Sequence, residues 1–270
     1  MKLRGVLLAA GATFGAILLL AAADAPAPVV KRIPAEEARQ GVASDGRFAY
    51  AVDNSRLAKY RIADGKRVAQ WQGDPAIFPH INSCVVVASE LVCALSNYPA
   101  VPHAGSAEFF DAKTLRHRRS HSFGLTDGSL TVLDWHGGYW WAVFVHYDGK
   151  GGVPGKDHTQ SRLVKMDAGF RALGAWTFPA EALARMAPYA ASGASWTQDG
   201  KLAVSGHDRP EIYLLSLPEA GSVLKLEAVL PIETGGQAIA WDPAARGKLW
   251  SISRGQRQLV LSDFAAALGR

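Results

Sequence analysis

Gly41-Val42-Ala43-Ser44-Asp45-Gly46-Arg47-Phe48-Ala49-Tyr50-Ala51-Val52 reads as a strand, a tight turn and a second strand. Apolar residues alternate on either side of Asp45-Gly46, the pattern of a hairpin. The same unit returns at residues 83–95, at 129–144 around His136-Gly137-Gly138, at 194–205 around Asp199-Gly200, and at 238–253 around Asp242-Pro243. Between these units lie further alternating hairpins at 56–71, 107–123, 162–178 and 211–232, turned at Asp64-Gly65, Asp111-Ala112-Lys113, Asp167-Ala168-Gly169 and Pro218-Glu219-Ala220-Gly221. Four strands per repeat, five times over, predict an all-β chain folded as a five-bladed β-propeller.

The fifth repeat is one strand short, because only residues 258–264 follow its first hairpin. Val29-Val30-Lys31-Arg32-Ile33 has the alternation to supply that strand, so the two ends of the chain are expected to pair and close the ring. Closure leaves no unpaired sheet edge at the joint. A helix is expected in one place, residues 179–187, where Pro179 opens a run with helical spacing between the third and fourth repeats.

Upstream of the repeats, Met1-Lys2-Leu3-Arg4 precedes an apolar run from Gly5 to Ala23 and then Asp24-Ala25-Pro26. A basic start, an apolar centre and small residues at Ala21-Ala22-Ala23 are the grammar of a secretory signal. Residues 1–23 are therefore expected to be a signal peptide, with an uncleaved anchor as the alternative, and 24–270 a single exported domain, periplasmic or secreted. The two cysteines, Cys84 and Cys93, flank the turn at Ala88-Ser89 and are cross-strand neighbours on this reading. An exported protein permits them to bridge, and two buried thiols are the other reading.

The chain has 270 residues, 49% of them hydrophobic, and a formal charge of +5. Removing Lys2 and Arg4 with the leader lowers that charge to +3, too mild for a nucleic-acid surface. The one basic run, Arg116-His117-Arg118-Arg119, reads as a solvated edge strand. A monomer is expected, with no nucleic-acid partner and no membrane attachment once the leader is gone.

In a propeller the entries to first strands and the exits from second strands open on one face. The entries hold Gln40-Gly41, His80-Ile81-Asn82-Ser83, Asp127-Gly128-Ser129, Ser192-Gly193 and Gly236-Gln237. The exits hold Asp53-Asn54, Ser96-Asn97-Tyr98, His146-Tyr147-Asp148, His207-Asp208 and Ser253-Arg254. Polar groups converging in a concavity make a candidate site. His80, His146 and His207 are the candidates for acid-base work, and with His121 they are the candidate ligands of a divalent metal ion. Asn82, Asn97, Gln237 and Arg254 are the candidates for holding a small-molecule or glycan ligand. Adjacency alone does not make His207 and Asp208 a dyad, since consecutive strand residues face opposite ways. Trp140-Trp141, Trp196 and Trp241 are expected to pack between blades, with an apolar wall of the channel as the other reading of Trp196 and Trp241.

The segments 80–83, 96–99, His121-Ser122-Phe123-Gly124, His207-Asp208-Arg209-Pro210 and 236–242 resemble a family of exported bacterial propellers, some of which carry cycloisomerase-like labels. Gln40-Gly41 and Asp64-Gly65-Lys66 are similar, more distantly, to the five-bladed glutamine cyclotransferase group. Asp127-Gly128-Ser129 stands where that group has Gly-Glu-Gly, so its reaction is not carried over. The expectation is an enzyme-like propeller acting on a small polar or carbohydrate-related compound by lyase, isomerase or hydrolase chemistry. The alternative is a non-catalytic propeller that binds a protein, peptide or glycan through its rim loops.

Overall fold

A computed structural model describes residues 25–269, so the expected signal peptide at 1–23 lies outside the described residues. Twenty strands form five four-stranded antiparallel sheets. In chain order they are β1 (Val29–Pro34); β2 (Gly41–Ser44), β3 (Phe48–Asp53), β4 (Arg56–Arg61) and β5 (Arg67–Gln72); then β6 (His80–Val87), β7 (Glu90–Ser96), β8 (Ala104–Asp111) and β9 (His117–Leu125). There follow β10 (Ser129–His136), β11 (Tyr139–Val145), β12 (Arg162–Met166) and β13 (Ala172–Thr177); β14 (Gly193–Trp196), β15 (Leu202–Ser205), β16 (Glu211–Ser216) and β17 (Lys225–Pro231); and last β18 (Ala240–Trp241), β19 (Lys248–Ser253) and β20 (Gln258–Asp263).

Four blades are runs of consecutive strands, and the fifth has the order β1-β20-β19-β18. The chain is a five-bladed propeller. Its ring closes where Ile33 pairs with Leu259 and Arg32 with Val260. Ile33 is 1% exposed and packs in one cluster with Trp250, Leu259 and Leu261 of the fifth blade and Val42, Ala49 and Ala51 of the first. The closing strand thus contributes core as well as hydrogen bonds. Its edge would otherwise leave β20 with unpaired backbone groups, which cost free energy wherever they are kept from water.

Every blade-to-blade interface has its own apolar cluster, because inner and middle strands bury both faces. Tyr50 and Val52 meet Ile81, Leu91 and Phe110 between blades one and two, and Phe109 meets Phe144, Leu133 and Trp140 between two and three. Trp141, Val143, Trp196, Val204 and Tyr213 join blades three and four, and Leu230 and Ile212 meet Leu249 and Phe264 between four and five. Outer strands carry the polar surface. The basic run leads into the outermost strand β9, which holds His117, Arg118 and Arg119, with Arg118 paired to Asp111 and Arg119 to Glu90.

Carboxylates on the inner strands bind across to neighbouring blades. Asp134 accepts from the backbone N–H of Trp135 and, in the next blade, of Trp196 at 2.9 Å each. Asp242 accepts from the Trp250 indole at 2.6 Å and from Ser44 Oγ at 3.2 Å across the closure. The expected helix is α1 (Ala180–Met186), with Pro179 as its N-cap, and Ala182, Leu183 and Met186 turned inward. Among the described residues no helix is long and apolar enough to cross a membrane.

Cys84 and Cys93 sit opposite one another in β6 and β7 and are joined by a disulfide. The bridge closes a loop with a sequence separation of 9 and is buried. On the loop-closure account a loop of that size is worth ~2 to 3 kcal/mol. Replacing both cysteines with alanine should lower the unfolding free energy by about that much in a urea titration, with little change in the slope. An unchanged midpoint would show that the hairpin holds without it.

Candidate functional site

The inner strands bring residues from all five blades to one opening of the channel. A cavity of about 220 Å³ there is lined by Gln40, His80, Asn82, Thr131, Ser192 and Gln237 from strand entries and by Tyr98, Tyr147, His207 and Arg254 from exits, with Tyr189 added from the segment after α1. That volume is below the ~300–1,000 Å³ of typical ligand pockets. Its occupant must be small.

Five of the residues proposed from the sequence meet in this cavity: His80, Asn82, His207, Gln237 and Arg254. Their roles differ. Asn82 is buried and spends its amide on the fold, with Nδ2 donating to Ser96 Oγ at 3.0 Å and to the Leu130 carbonyl at 2.8 Å across the blade interface. Gln237 has φ 106°, outside the ordinary range for a side-chain-bearing residue. Such a conformation costs of order 1–3 kcal/mol and is retained where the surroundings hold it. Here the Gln237 N–H donates to the Gly206 carbonyl, and the Gln237 carbonyl accepts from Ser205 Oγ.

His80 makes no ring hydrogen bond among the described residues and leans on Tyr98, with ring centroids 5.0 Å apart. Burial, reinforced by the Arg254 charge, pushes its imidazole down to about 4. It is a neutral group at pH 7. Arg254 itself is exposed, and no carboxylate among the described residues pairs with it. His207 stacks on Tyr189 at 4.2 Å, and its Nδ1 lies 2.5 Å from Asp208 Oδ1. Strand alternation would part these two residues, but β15 stops before them. The strand ends at Ser205, and the irregular backbone beyond it lets neighbouring side chains meet. A carboxylate on Nδ1 leaves Nε2 as the basic nitrogen, the arrangement used to orient a general base. The phenol of Tyr147, driven up to about 12 by burial, stays protonated as a hydrogen-bond donor in the wall.

The other proposed residues lie elsewhere. Asn97 is a loop clamp, donating to the Pro102 carbonyl at 2.9 Å and accepting from the Ala104 N–H at 2.9 Å. His121 stands on the outermost strand of its blade and stacks on Phe170 at 4.6 Å. A fourth strand is the one farthest from the channel, and that distance removes His121 from the mouth. His146 follows β11 but does not line the cavity; it is 2% exposed, with Nε2 3.3 Å from Asp127 Oδ1. Among the described residues no three of His80, His121, His146 and His207 bring ligand atoms together as a metal centre. The one such trio is Asp148, Asp157 and His158 on the rim.

Two features escaped the sequence. Tyr189 sits in the insertion between blades three and four, outside the repeat that organises the other lining residues. At the opposite opening, Trp135, Trp196, Trp241, Asp134 and Asp242 line a second cavity of about 200 Å³. Burial pushes the Asp134 carboxyl up to about 6. Trp196 and Trp241 end their strands here and face the channel as well as the blade interfaces.

No protein-family model matches the chain, and no curated protein matches it. Solved β-propellers do. The PQQ-bound aldose sugar dehydrogenase of Streptomyces coelicolor matches with a TM-score of 0.53 at 13% identity, over 84% of this chain and 78% of that one. The β-propeller domain of Cps50 (Swd1) from Myceliophteria thermophila matches with a TM-score of 0.43 at 10% identity, over 82% of each chain. At these identities the likeness is one of fold.

Proposed function

We propose that this chain is an exported propeller enzyme that takes a small hydroxylated carboxylate into the mouth cavity and moves a proton on it through His207. The observation that carries this reading is the grouping of an Arg254 guanidinium without a carboxylate partner, a neutral His80 and an Asp208-held His207 around about 220 Å³. A guanidinium fork matches a carboxylate in two parallel hydrogen bonds, and the neutral imidazole and phenols suit hydroxyl groups. His207 Nε2 is then placed to take a proton from carbon or oxygen, which fits lyase or isomerase chemistry. The Cys84–Cys93 bridge and the leader-like N-terminus support export, since disulfides persist in oxidising compartments.

Calorimetric titration with glucuronate, galacturonate and gluconate tests the reading, combined with NMR of each compound after incubation. Wild-type protein should bind at least one of them. Arg254→Ala should weaken that binding about 10- to 100-fold, the worth of a charge-assisted pair. His207→Gln should leave binding nearly unchanged and cut turnover by about 10² or more. Equal binding by wild type and Arg254→Ala, or no binding to any of the three, would rule out the mouth as a carboxylate site.

A further inference from the structure

Beside the mouth, outside its lining, two histidines are packed against each other. His103 and His146 are each 2% exposed, with ring centroids 5.8 Å apart. His103 Nε2 lies 2.8 Å from the Gly151 carbonyl, which can only accept, so that nitrogen carries the proton. His146 Nε2 faces the Asp127 carboxylate at 3.3 Å and is protonated for the same reason. Each imidazole therefore has a bare lone pair on Nδ1, and both Nδ1 atoms are buried without a hydrogen-bond partner.

An unsatisfied buried polar atom costs ~1–3 kcal/mol, and two on adjoining rings call for a common partner. That partner must be electropositive toward two imidazole lone pairs. Two metal–nitrogen bonds of ~2.0 to 2.1 Å, with roughly a ring radius at either end, set ligating imidazole centroids about 6 Å apart. The observed separation fits. The far nitrogens are also bound as in metal centres, where a ligating histidine gives its other N–H to a carboxylate or a backbone carbonyl. We infer that His103 and His146 form a buried two-imidazole site for a zinc- or copper-type cation, distinct from the mouth cavity and from the Asp148, Asp157 and His158 group on the rim.

The site would also anchor the rim. His103 holds the carbonyl of Gly151, whose φ is +81° and whose Cα lies so near Tyr98 that a Cβ would come within 2.6 Å of the ring. Asp127, facing His146, also holds Lys156 at 3.2 Å and Arg162 at 2.9 Å. The loop between blade-three strands β11 and β12 is thereby tied to the wall of the cavity through Tyr98 and Tyr147.

Untagged protein stripped with a chelator, then given zinc(II) or copper(I) separately and desalted, is assayed for bound metal. One equivalent of at least one ion should be retained, with X-ray absorption showing two imidazole nitrogens at ~2.0 Å. His103→Gln and His146→Gln should each lose it, and Asp148→Asn should keep it. Should either glutamine variant fail to fold, ¹⁵N-histidine spectra of the wild type give a second measure: two Nδ1 resonances must move together as one equivalent binds. Retention of neither ion, retention unchanged in both glutamine variants, loss in Asp148→Asn alone, or unmoved Nδ1 resonances would each overturn the site.

Discussion

Ile33→Asp should unfold the ring. The substitution removes a side chain that is 1% exposed and places a carboxylate in a cluster made of Trp250, Leu259, Leu261, Val42 and Ala51. Losing a buried isoleucine costs ~2–5 kcal/mol, and the unpaired buried charge adds several more. The sum is comparable with the whole stability of an ordinary domain, about 5–15 kcal/mol. Circular dichroism and urea titration should therefore find no cooperative transition for Ile33→Asp. Val30→Asp, on the same strand but 48% exposed, should unfold close to wild type. A chain beginning at Glu36 should also fail to fold alone, and an added peptide of residues 25–35 should restore its near-ultraviolet signal. A stable, cooperative Ile33→Asp protein would mean that the ring holds without its closing strand.

Acid should weaken the fold through His80. Its imidazole titrates at about 4 in the fold, against ~6.5 for an unperturbed histidine. Between those values the unfolded chain binds a proton that the folded chain refuses, so stability is full above pH 6.5 and falls as the pH drops toward 4. A shift of this size amounts to about 3 kcal/mol between pH 7 and pH 4. Asp134 works in the opposite direction. Its carboxyl, raised to about 6, takes up a proton in the fold before the unfolded chain does and so adds stability over part of the same range. His136 and His146, both lowered by burial, act with His80. The difference between wild type and His80→Gln isolates the one group. Denaturation at pH 7, 5.5 and 4 should show the variant losing about 3 kcal/mol less across that interval, and parallel losses would place the His80 imidazole in contact with water.

Much of this architecture could be read in the chain, for a physical reason. Strands of a propeller bury alternating faces, and turns must use residues such as Asp45-Gly46, so period and punctuation repeat together. The pairing of 29–33 with the last strand followed from counting strands, and the structure has it at β1 and β20. The mouth was legible in part for the same reason: His80, Asn82, Gln237, His207 and Arg254 occupy repeat-equivalent entries and exits, and the cavity collects them.

What lies outside the repeat could not be placed. His103 sits in the loop before β8, between the cis peptide at Val101-Pro102 and the first strand residue, where no register assigns a direction. Tyr189 follows an inserted helix. His121 is in register, but on the strand farthest from the channel, and alternation alone does not report that distance. The His207–Asp208 contact forms in the irregular backbone beyond Ser205, where β15 has ended and alternation assigns no direction.

A crystal of the protein soaked with galacturonate examines the central proposal most directly. The account predicts the sugar in the cavity between Arg254, His80 and His207, its carboxylate within ~2.7 to 2.9 Å of the Arg254 guanidinium nitrogens. Galacturonate seated instead against Trp135, Trp196 and Trp241 at the opposite opening, with the mouth left to solvent, would contradict it.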